Sequence, residues 1–149
     1  MVELNTQKIG RAGELFVQYQ FLKFGVDSSL MTTDYGVDLV AFHKGWQDPL
    51  LIQVKSTRVK PDADSKWVEW SVRDELKANY VALVDITRDK AWLFAKEEFL
   101  KVSSSTGGKG LRLWWYLPEH RPPRATLTRV EDDYRENLVE FAIPKLLGD

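Results

Sequence analysis

The sequence predicts a single α/β domain with a mixed central sheet flanked by helices. Three observations carry this reading. A helical apolar repeat opens the chain, short runs alternating with a period of two follow it, and an amphipathic helical pattern closes it. The 149 residues suffice for one domain with its own core, so residues 1–149 are read as one unit.

Residues 7–24 read as a helix. Ala12, Leu15, Phe16, Tyr19 and Leu22 recur at three- and four-residue steps, and Val17, Phe21 and Phe24 widen the stripe, so burial against more than one neighbour is expected. Gly25 is the expected stop. Gly10 and Gly13 each cost about 1 kcal/mol against Ala in a helix interior, but near the first turn they let another backbone or a ligand come close.

Strand-like runs come next. Val26 to Met31 is weak, Val37 to His43 is good with Gly36 turning into it, and Leu50 to Thr57 is the best, with Ile52 and Val54 alternating with Leu51, Gln53 and Lys55. Trp67 to Val72 alternates as well, and Ser71 to Asn79 reads as a short capped helix. Tyr80 to Ile86 is a buried strand, Thr87 to Lys90 a turn, Ala91 to Phe94 a strand and Lys96 to Val102 a helix. Ser103 to Gly108 reads as a loop, Leu111 to Leu117 as an aromatic strand, and Pro122-Pro123 excludes regular structure. Val130 to Leu147 is the closing helix, with a kink or break expected at Pro144.

Composition narrows the chemistry. The chain has no cysteine, which excludes disulfides, thiolate zinc sites and thiol catalysis. With two histidines, His43 and His120, a histidine-rich metal site or a Ser-His-Asp triad is not expected. No apolar run approaches the roughly 18 residues of a membrane span, and residues 1–5 lack a signal-peptide pattern, so no membrane association and a cytoplasmic location are expected. The formal net charge of −1 does not by itself point to nucleic acid. Basic residues nevertheless gather in 55–66 and 109–129, while acidic ones concentrate in 131–140.

The chemically informative groups are Glu14 on the opening helix, Asp38 in Gly36-Val37-Asp38-Leu39-Val40, and Gln53-Val54-Lys55. A carboxylate in mid-strand among Val37, Leu39 and Val40 lies near the core boundary and needs a partner. Gln53 and Lys55 are two apart, so they share one strand face while Ile52 and Val54 point into the core. Taken singly, Asp38 and Lys55 could form an ordinary cross-strand ion pair, worth about 0–1 kcal/mol if exposed, and Glu14 could be a solvated helix residue.

Jointly the motifs resemble the PD-(D/E)XK nuclease superfamily over roughly residues 8–95. Gly10-Arg11-Ala12-Gly13-Glu14 is similar to its first motif, Asp38 to its metal-binding aspartate, and Gln53-Val54-Lys55 to its (D/E)XK element. Element order is similar to Holliday-junction resolvases and Mrr-type restriction endonucleases. The domain size and the Gln-Val-Lys variant are similar to small intron-encoded homing endonucleases. The resemblance implies a restriction-endonuclease-like fold and Mg²⁺-dependent hydrolysis of DNA phosphodiesters, with Mn²⁺ as an alternative ion. Asp38, the Gln53 side-chain oxygen and the Val54 carbonyl would hold the metal, Lys55 would orient water or neutralise charge, and Glu14 would bind a second metal or order the water network. Gln53 departs from the usual acid, removing one negative charge while keeping an oxygen donor.

For double-stranded DNA, the expected contacts are Arg11, Ser56, Thr57, Arg58, Lys60, Arg121 and Arg124. The strand and helix in 111–147 are expected to serve DNA contact or oligomerisation. Trp114-Trp115-Tyr116 with Leu138, Phe141, Leu146 and Leu147 exceeds the needs of one small core, so a dimer or tetramer is expected. The favoured function is a site-specific endonuclease of homing or restriction type. The alternatives are a resolvase-like nuclease and a catalytically silent nuclease-fold module that binds nucleic acid or protein.

Overall fold

The computed structural model describes residues 2–33, 35–59, 65–73, 75–108, 110–122 and 130–149. The opening helix, α1, spans Thr6–Lys23. Asn5 caps it by accepting from Lys8 N at 2.9 Å. Gly25, at φ +79°, turns the chain out of it, and Val26 N donates back to Phe21 O at 3.0 Å. Its buried line is Gly13, Val17 and Phe21, one residue every four. Leu15, Tyr19 and Leu22, expected in the buried stripe, are instead more than half exposed or nearly so, at 50, 58 and 59%.

Five strands form the first sheet: β1 (Asp27–Leu30), β2 (Leu39–Phe42), β3 (Leu50–Thr57), β5 (Tyr80–Asp85) and β6 (Lys90–Ala95), in the order β1-β2-β3-β5-β6. All neighbours are antiparallel except β3 and β5, which run parallel in register Gln53 to Val81 and Lys55 to Leu83, so the sheet is mixed as expected. Between them the chain leaves this sheet. β4 (Trp67–Arg73) pairs with β8 (Gly110–Tyr116), and β8 with the two-residue β7 (Ser104–Ser105), in a second antiparallel sheet.

This second sheet is the main departure from the sequence reading. Helices cover one face of the first sheet, where Val17 and Phe21 of α1 and Val139 and Ile143 of α3 (Val139–Leu146) pack on Ile52, Val54, Ala82 and Val84. The other face is covered by the second sheet, with Val68, Trp70, Val72, Leu113 and Trp115 on Val81, Leu83, Trp92 and Phe94. Strand alternation divides the cores: even residues of β5 face the helices and odd ones face the second sheet. Trp70, Trp92, Trp115 and Tyr134 meet at ring-centroid distances of 4.8–5.6 Å, so Trp115 fills this core and is not a spare interface residue.

Three local expectations need correction. Glu75 to Asn79 is not helical; buried Leu76 and Ala78 alternate with exposed Glu75, Lys77 and Asn79, an extended pattern. Ser104–Ser105 is paired to β8 at Arg112 and Leu111 and does not belong to a loop. The C-terminal helical stretch divides at Leu138, between the 3-10 turn η2 (Glu131–Asn137) and α3, while Pro144 lies inside α3. α2 (Lys96–Val102) matches its expected span.

A charged cluster fixes η2 to the β5–β6 turn. Arg88 donates to Asp85 at 2.7 Å and to Glu131 at 2.6 Å, and Lys90 reaches Glu131 at 3.1 Å. Asp85 is fully buried and Glu131 nearly so. Burial pushes the Glu131 carboxyl up, but hydrogen bonds and charge from Arg88 and Lys90 outweigh it and leave its pKa below the usual value. No described helix is long and apolar enough to cross a membrane.

Candidate active site

β3 is the spine of the site. Its side chains alternate: Ile52 and Val54 enter the helix-side core, while Gln53 and Lys55 share the opposite face with their cross-strand partners Val81 and Leu83. Over Val81 and Leu83 the second sheet seals that face. Over Gln53 and Lys55 it leaves a cavity of about 240 Å³. Gln53 and Lys55 line it from β3, and Tyr35 and Gly36 from the loop before β2. Gln53 is only 8% exposed.

Asp38 is fixed by the strand edge. It lies one residue before β2, not in mid-strand as expected. Its backbone still pairs on both sides: Met31 N donates to Asp38 O at 2.9 Å, and Asp38 N donates to Ile52 O at 2.8 Å. The next inward-facing amide on that edge of β3 is Val54 N, and it donates to Asp38 Oδ2 at 2.7 Å. The carboxylate thus takes the rung that a strand carbonyl would otherwise fill. Because the N–H and C=O of one strand residue leave toward the same neighbour, the Val54 carbonyl faces the Asp38 edge as well. Gly36, at φ +82°, provides the left-handed turn that delivers this loop, and a side chain there would be strained.

Glu14 stands on α1, held by Arg11 Nη1 at 3.2 Å. It lines a separate groove formed by the first turns of α1, including Thr6, Gly10 and Arg11. The helix meets β3 at Gly13, where a Cβ would fall 1.6 Å from Ser56 Oγ. The structure therefore joins Gln53, Lys55 and, through Val54, Asp38, and sets Glu14 in the neighbouring part of the α1–β3 contact, outside the cavity lining.

Of the residues expected to touch DNA, Ser56 is corrected: its hydroxyl is buried beneath Gly13 and faces α1, away from solvent. Thr57 ends β3, paired with Asp85. Arg58 donates from Nη2 to Val2 O at 2.7 Å. Arg11 and Arg121 are exposed, while Lys60 and Arg124 lie outside the described residues.

The sequence reading missed three lining residues. Arg73, Glu75 and Lys77 complete the cavity lining. The alternation of Leu76 and Ala78 with Glu75, Lys77 and Asn79 was a usable signal, but reading 71–79 as a helix concealed it.

No protein-family model matches the chain, and no curated protein does. Among solved structures it is similar to a bacterial homing endonuclease, I-Ssp6803I, with a TM-score of 0.69 and 16% sequence identity, over 98% of this chain and 96% of that one. At that identity the likeness is one of architecture, and it spans nearly all of both molecules: this chain has the mixed α/β fold of that homing endonuclease.

Proposed function

We propose that the protein is a metal-dependent, site-specific endonuclease of double-stranded DNA, of homing or restriction type, within the PD-(D/E)XK superfamily. The observation that carries this reading is the placement of Gln53 and Lys55 in one polar cavity, with the Asp38 carboxylate latched to the residue between them. The fold shared with a homing endonuclease supports it.

The donor set suits Mg²⁺, with Mn²⁺ as an alternative. Asp38, the Gln53 amide and the Val54 carbonyl offer hard oxygens. Mg²⁺ keeps several waters and takes its remaining ligands from phosphate, so it would need few protein oxygens here. Such an ion, when bound, polarises the phosphate and acidifies a water. The chain's own residues do the rest. Val54 N fixes the Asp38 carboxylate. The buried Gln53 amide adds an oxygen without charge, so metal affinity rises when phosphate arrives. Lys55 orients the attacking water or neutralises charge growing on the phosphate oxygens. Glu14, in the neighbouring groove on α1, would serve a second ion or the water network. Since one small domain holds one such site, cutting both strands calls for a homo-oligomer, a dimer or a tetramer.

The test is cleavage of a plasmid library carrying randomised inserts, in Mg²⁺, Mn²⁺ and EDTA. Metal-dependent linearisation at a recurrent sequence is expected, and its loss in Asp38→Asn and Lys55→Ala. A wild-type protein that leaves the library intact in both metals would overturn the proposal in favour of a silent binding module.

A further inference from the structure

We infer that Arg73 and Lys77 form a phosphate-holding wall of the Gln53–Lys55 cavity, a role in DNA engagement that deepens the nuclease reading above and rests on it. Both residues line the same 240 Å³ space as Lys55. Among the described residues, three cations thus line one cavity together with one carboxylate, Glu75. Some other cations are neutralised: Arg88, Lys90, Arg112 and Lys145 each sit against a carboxylate. Gathering like charges around a cavity is unfavourable without an anion and becomes favourable when one enters.

Both residues also stand beside anchored neighbours. Arg73 is the last residue of β4, on the outward face set by the alternation that buries Val68, Trp70 and Val72. Lys77 stands between two core residues, Leu76 and Ala78, at 6% and 1% exposure. Lys96 Nζ donates to Leu76 O at 2.9 Å. Asn79 is tied to β3 twice: its side chain accepts from Leu51 N at 2.8 Å, and its own N–H donates to Leu51 O at 2.9 Å. Gly36 packs on the same segment, since a Cβ there would lie 3.9 Å from Lys77 Cβ. Solvated charges need no such anchoring. A planar guanidinium that can take two phosphate oxygens at once, beside a point-charge ammonium, matches a phosphodiester lying across the cavity. On this assignment the end of β4 and the segment between β4 and β5 supply the electrostatic half of the site and β3 the chemical half.

The experiment pairs two measurements on wild type, Arg73→Gln and Lys77→Gln. Both residues are exposed, so the variants should keep the wild-type circular dichroism and melting temperature. Binding of a random-sequence 20-bp duplex is titrated against salt in EDTA, where no cleavage occurs, and single-turnover cleavage of the selected target is timed in Mg²⁺. Each variant is expected to reduce the log K against log salt slope by about 0.9 and to slow cleavage at least tenfold at saturating DNA. Unchanged slopes and rates in both variants, with an active wild type, overturn the wall and leave the nuclease reading standing. A wild type that binds the duplex with variant-sensitive slopes but cuts nothing in either metal overturns the nuclease reading and keeps the wall. No duplex binding by wild type at 50 mM salt overturns both.

Discussion

Replacing Gly13 by alanine inserts one methyl group into the contact that sets α1 on β3. A Cβ at position 13 falls 1.6 Å from Ser56 Oγ and 2.8 Å from Ser56 Cβ, with Val84 Cβ at 3.6 Å. Rotating the Ser56 hydroxyl relieves the first clash. It cannot relieve the second, because the Cβ of Ser56 is fixed by the strand backbone. Carbon pairs settle near 3.5 Å, so helix and strand must separate by roughly 0.7 Å. Overpacking of this kind costs about 1–3 kcal/mol, and alanine's better helix propensity returns about 1 kcal/mol. A net change between about 0 and a loss of about 2 kcal/mol follows. Ser56→Gly in the same chain removes both clashing atoms and leaves only ordinary contact with Val84. The pair should therefore couple favourably by about 1–3 kcal/mol in a double-mutant cycle. Glu14 adjoins the contact, so Gly13→Ala should lower cleavage under conditions where the protein remains folded, and the second substitution should restore part of it. Urea unfolding followed by tryptophan fluorescence, with single-turnover cleavage alongside, measures both effects. A Gly13→Ala protein as stable as wild type, with effects additive with Ser56→Gly, would refute the close-contact argument.

Further outcomes are expected. Asp38→Asn keeps an oxygen for Val54 N, so it should melt near wild type while losing cleavage; a wild-type single-turnover rate would remove Asp38 from the metal site. Lys55→Ala should abolish cleavage yet still bind Mg²⁺ in the presence of DNA by isothermal titration calorimetry, and loss of metal binding would mean that Lys55 has another role. Glu131→Gln leaves Arg88 short of a buried partner and should cost about 3 kcal/mol in denaturant unfolding. The Glu131 pKa is lowered in the folded state, so its stabilisation is full above the unfolded value near 4.5 and is lost as pH falls through the lower folded value. The acid limb of the stability curve should therefore flatten in Glu131→Gln, and an unchanged limb would contradict the charge assignment. Sedimentation at micromolar concentration should show a dimer or tetramer with DNA present; a monomer throughout would contradict the proposed assembly.

Local pattern was enough for much of this molecule. The four-residue line Gly13-Val17-Phe21 marks the buried face of α1, although the wider apolar stripe misdirected attention to Leu15, Tyr19 and Leu22. Alternation in Leu50 to Thr57 separates Ile52 and Val54 from Gln53 and Lys55, because strand geometry is a property of neighbouring residues alone. Long-range pairing was not legible. Nothing in the sequence states that β4 leaves the sheet between two parallel strands to join β8, since the parallel register of β3 and β5 is set by bonds between distant residues. The latch of Asp38 onto Val54 N is equally nonlocal, and so is the wall of Arg73 and Lys77. Sequence by itself determined which side chains share a strand face. Only the tertiary structure decided which faces meet, because that depends on which apolar surfaces bury one another: the Trp70–Trp92–Trp115 core draws the second sheet over β5 and β6 and leaves Gln53 and Lys55 at its open margin.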